Sequence, residues 1–151
     1  MIISPDHYLI SPSGEYVWTK ENITEAWNKS FAKLHRALSS DRFHKLVLMV
    51  GVPGSGKSTW LSSNRETGAV YFDATFTRRR ERKPVIKAAK KYGKSVEAVV
   101  MATPINVCID RNRCRTSDRM VPEEILEKMS ANLLGDPPTL SEGLDMVKSI
   151  R

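Results

Sequence analysis

The sequence predicts one α/β domain built on a mostly parallel sheet of about five strands, with helices covering both faces. Three observations lead there. Short apolar runs alternate with amphipathic stretches along the whole chain, the pattern of buried parallel strands joined by helical crossovers. The chain has 151 residues, the size of a single domain, and such a domain buries roughly 68–70% of the surface its unfolded chain exposes. Finally, the glycine-rich segment Gly51–Ser58 lies between one apolar run and the start of a helix.

The elements follow in order. Met1–Ser4 is a short apolar run ending at Pro5, and Ser11–Val17, with Pro12 and Gly14, reads as a loop. Ile23, Trp27, Phe31, Leu34 and Leu38 recur at helical spacing and define an amphipathic helix whose apolar face joins the core. Lys45–Val50 is a buried strand, followed by the glycine-rich turn and a helix from about Lys57. Ala69–Phe72 is a second buried strand. The basic stretch from Thr77 becomes a helix by Val85 and stops at Gly93, with Pro84 placing its start in doubt, since proline is tolerated only in a first turn. Val96–Met101 is the third central strand. Thr103-Pro104 reads as an N-cap with proline at the first helical position, opening a helix with Ile105, Cys108 and Ile109 on one face. Arg111–Arg119 is an Arg-rich connection, Pro122–Leu134 a helix, Asp136–Gly143 a loop, and Met146–Ile150 a last short strand.

Composition narrows the function classes. No apolar run reaches the ~20 residues of a membrane span, and the N-terminus lacks the basic and apolar regions of a signal peptide. Cys108 and Cys114 fit neither a metal-ligand spacing nor a disulfide framework, which suits a reducing, cytoplasmic setting with no membrane partner. The net charge is +7, unevenly spread. Residues 1–44 are balanced, residues 45–121 carry sixteen basic and six acidic side chains, and residues 122–151 carry three and six. Such a positive field attracts polyanions, nucleotides or nucleic acid; a solvated basic helix is the ordinary alternative.

Gly51-Val52-Pro53-Gly54-Ser55-Gly56-Lys57-Ser58 fits the phosphate-binding pattern G-x-x-x-x-G-K-[ST] in full. Its position between strand and helix is the one the motif needs. Glycines let backbone N–H groups turn toward phosphate oxygens, and the helix N-terminus adds partial positive charge. Lys57 then reaches the β- and γ-phosphates, Ser58 can ligate Mg²⁺, and Thr59 completes the nucleotide-binding turn. Asp73 ends the next strand, where ligands collect in parallel sheets, and can hold magnesium directly or through water; an ordinary turn aspartate is the alternative. In the Arg-rich segment, Arg115 and Arg119 are candidates to close over the phosphates and neutralise developing charge, against a solvated connector.

Four segments together carry a resemblance: PGSGKSTW (Pro53–Trp60), DATFTRRRERK (Asp73–Lys83), RCRTSDRMVPEEIL (Arg113–Leu126) and PPTLSEGLD (Pro137–Asp145). In this order they resemble the 5′-polynucleotide kinases, both the bacteriophage RNA-repair enzyme and the kinase domain of the animal DNA-repair enzyme, over Leu46–Ile150. The resemblance implies a three-layer P-loop kinase domain with an Arg-rich lid. It implies ATP and Mg²⁺ as cofactors, and nucleic-acid 5′ ends, RNA or DNA, as the partner. These kinases often work beside a ligase or phosphatase domain, for which a chain of 151 residues has no room; a separate partner would supply it.

One part of the family pattern is displaced. Family kinases carry a strand, a D-x-x-R-like motif and a helix between the P-loop helix and the D-[AT]-[TN] strand. Here only Ser62–Tyr71 lies between. The N-terminus offers Ile2-Ile3-Ser4-Pro5-Asp6-His7-Tyr8-Leu9 and then the Ile23–Leu38 helix, the same unit in kind and order. This divides the domain into a transposed unit (1–44) bearing the base, a nucleotide core (45–110), the lid and its helix (111–134), and a C-terminal loop and strand (135–151). In the usual sheet order the Asp73 strand separates the N-terminal strand from the P-loop strand. Right-handed crossovers then keep both helices on their faces after the move. Asp6 becomes the general base for the attacking hydroxyl, or else only turns the chain after Pro5. Leu9 stands where the phage kinase has an Arg on the substrate phosphate, so that contact is either absent or supplied from elsewhere, with Arg78 and Arg79 as the candidates. Tyr16 and Trp18 pack under the loop or stack on a base.

The leading function is therefore a 5′-OH polynucleotide kinase. A P-loop kinase for a small metabolite or nucleotide sugar is the alternative within enzymes, and a nucleotide-dependent binding module with weak hydrolysis the alternative outside that class.

Overall fold

The computed structural model describes every residue from Met1 to Arg151. Five strands form one sheet in the order β1-β3-β2-β4-β5, and every pairing is parallel. The strands are β1 (Ile2–Ile3), β2 (Lys45–Val50), β3 (Ala69–Asp73), β4 (Ser95–Met101) and β5 (Met146–Ile150). The helices are α1 (Lys20–Leu38), α2 (Lys57–Asn64), α3 (Arg79–Lys91), α4 (Ile105–Arg113) and α5 (Glu123–Gly135).

Strand periodicity divides the core in two. Leu46, Leu48 and Val50 of β2, with Val70 and Phe72 of β3, face the larger cluster, where α1 adds Leu34 and Leu38 and α3 adds Val85 and Ala89. The intervening residues Val47, Met49 and Tyr71 face the smaller cluster, where α2 adds Leu61 and Trp60. Apolar side chains on both faces of a strand remove the polar alternation, which is why these segments read as continuous runs. Trp27 and Phe31 of α1 close on Phe72 and Phe76 with ring centroids 5.3–6.2 Å apart, an aromatic wedge on the larger face.

The sheet order places β3 between β1 and β2, the arrangement expected for an N-terminal unit moved ahead of the P-loop strand. The chain runs from β1 past β3 to β2 through α1, then steps back to β3 through α2. Opposite crossing directions with one handedness require opposite faces, and α1 and α2 do lie on opposite faces.

Local boundaries differ where side chains compete. The helix α1 starts three residues earlier than its apolar stripe, because the Thr19 hydroxyl accepts from the Asn22 N–H and caps it. Asp6 sits in a single 3₁₀ turn, Pro5–Tyr8, rather than an open loop. Pro84 lies inside α3 and not at its start. The helix begins instead where the Glu81 carboxylate accepts from the Arg78 N–H at 3.1 Å, and Pro84 is exposed on the solvent side of the helix.

The basic helix is not uniformly solvated either. Arg82 is fully buried. Its guanidinium donates to Glu142 Oε1 at 2.8 Å and Oε2 at 3.2 Å, to Phe76 O at 2.8 Å and to Asp136 O at 2.9 Å. It fastens the loop after β3 and the C-terminal segment to α3. Arg82 therefore belongs neither to a polyanion-facing surface nor to a solvated one.

Candidate active site

The site lies at the carboxyl ends of the central strands. Register sets Met49 opposite Asp73 and Val50 opposite Val100, so the P-loop and Asp73 emerge side by side. The Gly51 N–H donates to Thr75 O at 3.1 Å, tying the start of the P-loop to the loop that follows Asp73. That loop is itself held in an unusual shape. Phe76 is buried with φ +48, a left-handed conformation that costs a bulky residue of order 1–3 kcal/mol, and the Arg82 hydrogen bond to its carbonyl helps retain it.

The P-loop is close-packed from beneath. Gly54 has φ +83, and a Cβ there would meet Cys108 O at 2.9 Å. At Gly51 a Cβ would come within 2.6 Å of Ser55 Oγ. Gly54 therefore excludes a side chain for steric reasons, independently of any ligand, whereas a side chain at Gly51 would require the Ser55 hydroxyl to move. The Ser55 hydroxyl is buried and has no hydrogen-bond partner. A buried polar group of that kind costs about 1–3 kcal/mol. With the backbone N–H groups at the start of α2 it fits the phosphates of a nucleotide. Ser58 and Thr59 open α2 and are exposed.

Two side chains support this loop in ways the sequence did not indicate. Thr103 was expected to cap α4; its hydroxyl instead donates to Ser55 O at 2.6 Å, and Pro104 occupies the cap position. Arg111 donates from Nη1 to Gly54 O at 3.1 Å. The Arg-rich run was legible as a lid, but α4 extends to Arg113, so Arg111 projects from a helix onto the P-loop.

Lys57 donates to Gly51 O at 2.8 Å and Val52 O at 3.5 Å. Burial lowers the pKa of its ammonium, while the carboxylates of Asp73 and Asp6 raise it. Burial raises the Asp73 pKa; Lys57 opposes that rise, the Asp6 charge adds to it, and His7 opposes it. The two carboxylates thus share the field of one lysine. The third strand end explains how: β1 pairs with β3 through Ile3 and Phe72, which delivers the Pro5–Tyr8 turn and Asp6 beside Asp73. Asp6 is exposed, and its Oδ1 accepts from the Tyr16 hydroxyl at 3.0 Å.

The lid meets the same place. Asn112 is buried and clamps Val121 through two hydrogen bonds, 2.6 and 2.9 Å, closing the loop between them. Arg113 turns outward to Glu123 at 2.6 Å. Arg115 is half-buried, and its charge acts on both Lys57 and Tyr16. Arg119 lies over the Tyr16 ring, 5.5 Å from its centroid. Asp6, Lys57, Asp73, Arg115 and Arg119 are therefore brought to one region.

Arg78 and Arg79 are placed differently. With the Asn132 amide oriented by its neighbours, its oxygen accepts from Arg78 at 3.0 and 3.1 Å. The Arg79 N–H donates to Asp136 Oδ2 at 2.6 Å, and its guanidinium to Ser141 O at 3.3 Å. Both tie α3 to α5 and the segment after it. Trp18 does not pack under its loop; it is 57% exposed. No three His, Cys, Asp or Glu side chains group as a metal cluster, so any cation here would rest on few protein ligands. No helix is long and apolar enough to cross a membrane.

A family model described as an AAA domain matches residues 63–135, just under half of the chain. The match takes in Asp73 and the lid and leaves out the P-loop and Asp6. No curated protein matches the sequence. The five-stranded parallel sheet, the complete P-loop motif and this match together describe a P-loop nucleotide-binding domain of the kinase type.

Proposed function

We propose that the chain is a 5′-OH polynucleotide kinase, moving the γ-phosphate of ATP to a nucleic-acid 5′-hydroxyl. One observation carries this beyond nucleotide binding: the N-terminal strand sets a second carboxylate, Asp6, in the field of Lys57 next to Asp73. Asp73 serves a triphosphate site with no acceptor at all. Asp6 has one oxygen engaged by Tyr16 and the other free for an incoming hydroxyl.

The reaction balances with these groups. Asp6 accepts the proton of the 5′-hydroxyl, the oxygen forms a bond to the γ-phosphorus, and the bond from that phosphorus to the β–γ bridging oxygen breaks, leaving ADP. Lys57, Arg115 and Arg119 neutralise charge on the transferred group and the leaving oxygen; such transfers rely on positioning and electrostatics. The Ser58 hydroxyl and Asp73 would hold magnesium, which would supply positive charge against the negative charge that develops in transfer. The raised pKa of Asp73 fits this role, since a desolvated carboxylate gains from a cation.

The basic residues of α3 that stay exposed, among them Arg80, Lys83 and Lys87, suit a nucleic-acid backbone.

Transfer of radiolabelled γ-phosphate tests the reading. Label on a 5′-OH oligonucleotide, and none on one already 5′-phosphorylated, is expected. Label only on small metabolites, or phosphate release without an acceptor, overturns it. A second prediction concerns the cation. Magnesium with a non-hydrolysable ATP analogue raises the unfolding free energy by about 4 kcal/mol at a thousandfold excess over Kd, and the melting temperature rises with it. In Asp73→Asn the magnesium-dependent part of that rise is lost, as read by thermal unfolding with and without chelator.

A further inference from the structure

Tyr16 joins three things that the proposed reaction needs at the same moment. Its hydroxyl donates to Asp6 Oδ1 at 3.0 Å. Its backbone N–H donates to Asp118 Oδ2 of the lid at 3.1 Å, across 102 residues of sequence. Its ring lies under the Arg119 guanidinium at 5.5 Å. The segment carrying it is pinned at both ends: Ile10 and Tyr16 form an antiparallel bridge, and the Val17 N–H donates to Leu9 O at 2.7 Å. Tyr16 is therefore fixed on the turn that bears Asp6, and it is the residue there that the lid touches.

We infer that Tyr16 is a positioning residue that couples lid closure to orientation of the base, so that Asp6 is aimed at the acceptor hydroxyl only while Asp118 and Arg119 are seated on Tyr16. This rests on the reading of Asp6 as the base. The chemistry of the contact sets the direction of the effect. The phenol acts as a donor and not as a second base, because burial, then the Asp6 charge and the hydrogen bond to it, hold its proton well above its usual range. Asp118 is kept below the usual carboxylate range by the Thr116 hydroxyl and then by the Tyr16 N–H, so it stays charged as an acceptor. Arg119 thus has a role in the closed lid besides neutralising phosphate: it spends one face on the Tyr16 ring.

Tyr16→Phe removes only the hydroxyl and keeps the ring and the backbone contact. It lowers kcat for phosphate transfer about tenfold or more, the scale of a hydrogen bond to a charged group, with KM for ATP unchanged. In an Asp6→Asn background the same substitution has no further effect on kcat, whereas a merely structural role gives an additive loss. Tyr16→Ala also removes the seat of Arg119, so trypsin cuts the folded protein faster after Arg115 and Arg119. That readout needs no catalysis. If Tyr16→Phe leaves kcat unchanged while Asp6→Asn lowers it, the inference is overturned and the base stands. If neither changes transfer, both fall. Additive losses in the double variant, or unchanged trypsin cleavage in Tyr16→Ala, also overturn it.

Discussion

Replacing Lys57 by Met removes phosphate transfer, with kcat/KM down by about 10²–10³ or more, and changes the stability of the free protein in a pH-dependent way. The first half follows from charge. A lysine aimed at the β- and γ-phosphates stabilises negative charge in a partly dehydrated site, where one lost donor costs about 2.7–4 kcal/mol of transition-state energy. The second half follows from what the ammonium does without a nucleotide. Burial lowers its pKa below the ordinary lysine value of 10.5, and only part of that is returned by Asp73 and Asp6. A lysine whose folded pKa is depressed binds fewer protons folded than unfolded, so stability rises with pH across the window between the two values. Below that window the charged group is a constant cost, which Met does not carry. The difference in unfolding free energy between wild type and Lys57→Met therefore shifts in favour of wild type as pH rises toward 10.5. Denaturant titrations at several alkaline pH values measure it.

Arg82→Met has the opposite signature: stability collapses and the chemistry is not directly touched. Arg82 is fully buried, and so is nearly all of the Glu142 side chain it pairs with, at 3% exposure. Removing one member of such a pair leaves a buried charge uncompensated and costs about 3–5 kcal/mol, a large share of the 5–15 kcal/mol typical of a domain. The carbonyls of Phe76 and Asp136 lose a donor as well. Replacing both partners is far milder, so Arg82→Met with Glu142→Leu recovers much of the loss. Equilibrium unfolding of the two variants distinguishes this from a simple packing defect. Because Arg82 fixes the carbonyl of the strained Phe76, next to the loop that holds Gly51, loss of ATP affinity is expected to accompany the loss of stability.

These two residues show which parts of the molecule were open to a reading of the sequence. The strand Lys45–Val50 falls where its sequence places it, since a short apolar run bounded by turns has few alternatives, and Met146–Ile150, an exposed edge strand, also falls where expected. The P-loop was legible because its spacing encodes backbone geometry. The strand of Asp6 was expected next to that of Asp73 from the family resemblance, which supplied the sheet order; handed crossovers show only that the move is permitted, and the observed order is β1-β3-β2. Arg82 was not legible. It sits among Arg78, Arg79, Arg80 and Lys83, and only the position of Glu142, sixty residues on, distinguishes it. Thr103 and Arg111 were misread or passed over for a related reason. Each stands in a locally plausible role, a helix cap or a lid arginine, while its partner is a P-loop carbonyl far away in sequence. Tyr16 was left between packing and stacking, because nothing in a loop of mixed composition says that its hydroxyl meets Asp6. Long-range polar pairing is the information that residue patterns do not carry.

The central claim is that the N-terminal strand supplies the base for a P-loop kinase site, and Asp6→Asn tests it at the transfer step. Labelled ATP and magnesium are bound to the protein first, an excess of 5′-OH oligonucleotide is added, and labelled 5′ ends are followed through a single turnover. Asn keeps the shape of the side chain and can still accept from Tyr16, but it cannot take a proton. The effect sits near the lower end of general-base catalysis, about 10²-fold, because a loose phosphoryl-transfer transition state draws more on positioning than on deprotonation. The account predicts that loss in the rate of transfer with the fraction of ATP bound unchanged. Transfer at the wild-type rate from a fully bound nucleotide would contradict it.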